Sequence, residues 1–156
     1  MSSLEIRYTL LLSIAFILQF TLVHYIEIYG YRPDLLLIVL VSFSLRKGPN
    51  WGMTIGFTVG LIQDYVSAQL IGLAALSKTI AGFVAGNLRG KFAESTQFFL
   101  TLIICGLLHD LVYFFIYFLG ENSIIQSLIL YTVLNLTYTI LIGGILYYFV
   151  EPLLQE

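Results

Sequence analysis

Apolar runs broken by short polar turns set the rhythm of this chain. Residues 8–28 form a first run of about 21 residues, enough to cross a bilayer core as a helix. The turn Gly30, Tyr31, Arg32, Pro33 and Asp34 follows, with Pro33 suited to a first helical position and Asp34 to the positive start of a helix. Residues 35–45 make a short second run, which as a helix reaches only about 17 Å. It must recruit its flanks, thin the bilayer or be partly shielded by protein. Arg46, Lys47, Gly48, Pro49 and Asn50 then form a basic turn. Two further runs lie within residues 51–90, joined near 67–72, and the fourth closes at 87–91. The fifth covers about 97–119 and the sixth about 127–150, with Gly120, Glu121 and Asn122 between them. The pattern predicts an all-α, six-span membrane bundle in a single domain covering residues 1–156.

The third and fourth runs carry a second periodicity. Gly52, Gly56 and Gly60 lead at four-residue spacing to Asp64, and Lys78 leads at the same spacing to Gly82, Gly86 and Gly90. Residues four apart stack on one helix face, so each run predicts a small-residue groove with a charge at one end. Inside a bilayer such grooves let backbones approach closely and replace the missing hydrophobic drive for association. The two helices are expected to pack as an antiparallel hairpin, with Asp64 and Lys78 at the same end. Three glycines per helix offer more small surface than one crossing consumes. At least one groove end is therefore expected to remain open to a partner helix or a second copy of the chain.

Composition strengthens the membrane reading. Hydrophobic residues make up 59% of the 156 residues and charged residues 10%, and the mean hydropathy is +0.94, far from the balance of soluble domains. A net charge of -2 suggests no nucleic-acid partner and no strong attachment to anionic lipid. The single Cys105 excludes an internal disulfide and reads as a small packing residue. On alternate sides of the six runs, one face receives Arg7, Arg46, Lys47, Arg89 and Lys91 and the other only Arg32. The positive-inside rule then puts both termini in the cytoplasm of a multi-pass cytoplasmic-membrane protein.

Polar residues at membrane depth carry the functional signal. Asp64 and Lys78 are costly there, and each is the other's first candidate partner; hydration of Asp64 at the outer interface and snorkelling of Lys78 are the alternatives. His109 and Asp110 fall near the middle of the fifth run. A proton relay would need further titratable groups in line, so structural hydrogen bonding is favoured, with Asn135, Gln19 and His24 as partners. Hydroxyls near these charges lack a histidine base at an interpretable spacing, and the two histidines do not by themselves make a zinc site. No GKS or GKT follows Gly82, Gly86 and Gly90, so they are not a phosphate loop. These features point away from an enzyme and call for no cofactor or metal.

Several of these residues together carry a family resemblance: Arg32, Pro33 and Asp34 opening a Leu-rich segment, the basic turn from Arg46 to Pro49, the stripe Gly52, Gly56, Gly60 and Asp64, and then Gly72 to Leu76. The chain resembles the MreD family of bacterial rod shape-determining membrane proteins, most specifically over residues 32–90. The resemblance implies a non-catalytic subunit of the cell-elongation machinery, associated with the bitopic protein MreC. Through MreC it would connect the actin-like MreB to the polymerase and transpeptidase of lateral peptidoglycan synthesis. It also implies a fold like the S subunits of energy-coupling-factor vitamin transporters. The alternative is therefore a small-molecule substrate-binding subunit of a transporter, with an outer pocket near Asp64, Lys78, Glu27, Tyr29 and Tyr65.

Overall fold

Six helices make up most of the described residues, 3–23, 25–27, 31–68, 70–119 and 124–154, of the computed structural model. They are α1 (Ser3–Thr21), α2 (Leu35–Lys47), α3 (Pro49–Ser67), α4 (Leu73–Asn87), α5 (Glu94–Tyr117) and α6 (Ile124–Leu154). No strand occurs among the described residues, so the chain is all-α there.

Local chemistry sets the boundaries. Asp34 is the N-cap of α2, and its carboxylate accepts a hydrogen bond from the Leu37 backbone N–H at 2.8 Å. Pro33 therefore precedes the cap instead of opening the helix, because a capping side chain must sit just outside the first turn. The expected five-residue turn after α2 contracts to Gly48, whose φ of 92° serves as C-cap of α2 and N-cap of α3 at once. Pro49 opens α3, where a missing N–H costs nothing. Arg46 and Lys47 belong to the last turn of α2, where they oppose the negative helix end.

α2, about 20 Å long, is the axis of the bundle. It packs against α1, α3, α4, α5 and α6, and Leu36, Leu40, Val41 and Ser44 are fully buried on it. Shielding by protein is thus how this short apolar helix is accommodated. α1 rests on α2 through Tyr8, whose ring meets Phe43 edge-on at 5.1 Å and whose hydroxyl lies 3.1 Å from Ser42 Oγ. α5 and α6 run antiparallel, with Phe98 stacked on Tyr147 at 4.5 Å and Gly106 facing Leu136.

α3 and α4 form the most extensive contact, and the glycines explain it. A Cβ on Gly52 would strike the Gly82 carbonyl and one on Gly82 the Gly52 carbonyl, one on Gly56 the Lys78 backbone, one on Gly60 the backbone of Ala74 and Ala75, and one on Gly86 the backbone of Gly48 and Pro49. The antiparallel hairpin forms as expected, but both stripes are consumed by their own crossing. No groove end is left for a partner on these five glycines, because the two backbones already touch. Gly90 lies beyond the end of α4 with φ 69° and meets no neighbour, so it belongs to a turn and not to the stripe.

The outer surface is apolar. Leu10, Ile14 and Ile17 on α1, Trp51, Phe57 and Tyr65 on α3, and Ile129, Val133, Leu141 and Ile145 on α6 are all exposed. Such a surface is unfavourable in water and suits lipid or a partner helix. By length and composition α5 (Thr96–Tyr117) and α6 (Ile125–Tyr148) are able to cross a membrane, and α1 contains a shorter apolar stretch, Ile6–Thr21.

Candidate functional site

A buried polar network lies where α2, α4, α5 and α6 meet. Capping fixes Asp34: Oδ1 is held by Leu37, its backbone N–H donates to Thr139 Oγ1 at 3.2 Å, and Oδ2 is left facing inward. Lys78, wholly buried on α4, donates its ammonium to that oxygen in an ion pair. The same ammonium lies 3.3 Å from His109 Nε2. Nε2 also lies 3.6 Å from Asp34 Oδ2, so Lys78 and His109 face the same carboxylate oxygen. Nδ1 sits 2.9 Å from Asp110 Oδ1. Asn135 on α6 then donates from Nδ2 to both Asp110 oxygens at 3.3 Å, and its Oδ1 accepts from the Arg32 backbone N–H at 3.3 Å.

Four titratable side chains therefore stand in one line, Asp34, Lys78, His109 and Asp110, each within hydrogen-bond reach of the next. This corrects the expectation that nothing lines up with the His109 and Asp110 pair. The sequence concealed the chain because Asp34 looked fully explained as a helix start, whereas a capping carboxylate has a second oxygen to spare. Two further signals were available: Lys78 is the only cation within the apolar runs, and shielding by protein was one of the ways to accommodate so short a second run.

Asp64 and Lys78 do not pair. Asp64 instead accepts backbone N–H groups from Gly72 at 2.9 Å, Ala74 at 2.9 Å and Ala75 at 3.0 Å. A carboxylate on α3 thus caps the N-terminus of α4, where the orphan donors and the positive helix end compensate its charge. Charge matching by sequence spacing missed this, since backbone donors leave no mark in a sequence. Gln19 bonds the Pro33 carbonyl and the Leu35 N–H, not the histidine or aspartate. Glu27 pairs with Arg32 at 2.6 Å near the surface. His24 and Tyr29 lie outside the described residues. Cys105 is fully buried in the apolar core.

Beside the network is a cavity of about 350 Å³. Asp34, His109, Asp110 and Asn135 line it with Gln19, Gln63, Ser67 and Arg32, and the rings of Phe20, Tyr113, Phe114, Tyr117 and Tyr131 complete the wall. Tyr113 stacks on His109 with ring centres 5.9 Å apart. Gln63 Oε1 is buried with no hydrogen-bond donor. Among the described residues no cluster of histidine, cysteine and carboxylate side chains has the arrangement of a metal site.

A helical bundle with an apolar exterior and a paired, buried set of charges is the build of a helical membrane protein. Residues 4–156 match the family model described as rod shape-determining protein MreD. The chain belongs to this family of membrane proteins, whose role is to determine rod shape. No curated protein and no solved structure matches the chain, so the architecture described above is read from this chain alone.

Proposed function

We propose that the protein is a non-catalytic subunit of the bacterial cell-elongation machinery, associating with an MreC-like bitopic protein to support lateral peptidoglycan synthesis. The observation that carries this reading is the family match over residues 4–156. The architecture supports it: the chain is a bundle of packed helices, with an apolar exterior suited to helix contacts. The proposed setting is the cytoplasmic membrane, crossed six times with both termini inside. In its favour, Tyr8 meets Phe43 and Gly86 meets Pro49, which brings the ends bearing Arg7, Arg46, Lys47, Arg89 and Lys91 together, while Arg32 sits at the opposite end beside Asn135.

The partner helix would use the outward faces of α1, α3 or α6. The glycine stripes are closed by their own contact, and α2 is enclosed by five helices. A photo-crosslinking residue placed at Ile14, Phe57 or Ile129 tests this, since all three are exposed apolar positions. At least one should capture the MreC-like protein in growing cells, and the two proteins should co-purify. Failure of all three positions, together with no co-purification from mild detergent, would contradict the proposal.

A further inference from the structure

The cavity beside the polar network is lined by two buried carboxylates. The buried line holds Asp34 and Asp110 with one ammonium, Lys78, and the His109 ring between them. Lys78 and the start of α2 answer Asp34. Asp110 sits inside α5 and is 2% exposed. Its hydrogen-bond partners are His109 Nδ1 at 2.9 Å and one amide at 3.3 Å. A carboxylate offers about four acceptor sites, so Asp110 retains capacity on the side that lines the cavity. Arg32 also lines the cavity, its half-exposed side chain paired with Glu27 at 2.6 Å.

The walls match the same sign. Tyr113, Tyr117 and Tyr131 line the cavity, and aromatic faces attract cations, more strongly where water is displaced. Gln63 adds a buried amide oxygen that lacks a donor. A buried carboxylate, an unmet acceptor and aromatic walls share one complement: a group that is positive, rich in N–H donors and small. The cavity volume of about 350 Å³ lies in the range of small-ligand sites. We propose that this cavity binds an organic cation through a primary ammonium group, seated between Asp110 and the tyrosine rings. The inference rests on the site itself and does not depend on the assembly role.

The test uses the full chain in detergent with n-butylammonium chloride as probe, against sodium chloride at equal ionic strength. A saturable rise in the thermal unfolding midpoint is expected with butylammonium only. Asp110→Asn should weaken binding by at least about tenfold, the loss typical of a hydrogen bond to a charged group. Tyr117→Leu, at a half-exposed wall position that tolerates change, should weaken it by about three- to tenfold. This second variant keeps the test decisive should Asp110→Asn fail to fold. Native mass spectrometry from nanodiscs of phosphatidylethanolamine with phosphatidylglycerol, compared with phosphatidylcholine and phosphatidylglycerol, separates the sources of the amine. Selective retention of the ethanolamine lipid, displaced by butylammonium, assigns the site to a lipid headgroup; a butylammonium shift without lipid retention assigns it to a soluble amine. No saturable shift in the wild-type chain, or an equal shift in every folded variant, would overturn the proposal.

Discussion

Lys78 is wholly buried and its ammonium is answered by Asp34. Taking one partner from such a pair leaves an unpaired charge, so Lys78→Met should destabilise the fold by about 3–5 kcal/mol. Asp34→Asn should have a comparable effect, and the double change should recover part of the loss. Asp64→Ala acts through different groups, the N-terminal amides of α4, and should cost about 1–2 kcal/mol as the loss of a cap. Unfolding in mixed micelles distinguishes the two pairings. Asp34 with Lys78 should show strong coupling in a double-mutant cycle, and Asp64 with Lys78 should add to within about 0.5 kcal/mol. Coupling confined to Asp64 and Lys78 would mean that the network has been assigned wrongly. The sequence made these charges visible as expensive, but not how they are answered. A carboxylate that caps a helix across space and one that caps in place while pairing elsewhere look identical in a string of letters.

At the scale of elements, the hairpin of α3 and α4 was the most legible feature, since four-residue glycine spacing has few readings inside an apolar helix. Its use was less so. Spacing tells that backbones come close but not how much of each stripe one crossing consumes, and the observed contact runs from Gly52 and Gly86 at one end to Gly60 at the other. Gly56→Ala and Gly82→Ala each push a methyl group against backbone atoms of the other helix and should cost about 1–3 kcal/mol, more if the helices cannot separate. Gly144→Ala on α6 is the control, because its Cβ would meet Phe99 at an ordinary 3.5 Å and alanine favours helix. Fluorescence-detected size exclusion should show loss of the monodisperse peak for the first two and none for the third. If all three behave alike, the hairpin contact is looser than described. The boundaries of α2, α5 and α6 followed the hydropathy rhythm to within about four residues. That of α1 did not, since α1 spans Ser3–Thr21 whereas the apolar run extends to residue 28.

For the molecule as a whole, the two ends of α3 report orientation. Single cysteines at Asn50 and Tyr65, in a Cys105→Ser background, report opposite ends of α3, and both positions are exposed. An impermeant thiol reagent applied to spheroplasts should label Tyr65→Cys from outside and Asn50→Cys only after permeabilisation. The reverse pattern would invert the proposed topology. The role is tested most directly by the shape of cells that depend on this chain. In a rod-shaped bacterium whose own copy is depleted, the account predicts rounding and widening within a few generations, reversal by the wild-type chain, and no reversal by a Lys78→Met chain that fails to fold. Rods of unchanged width after depletion, with loss of the protein verified in the membrane fraction, would contradict it.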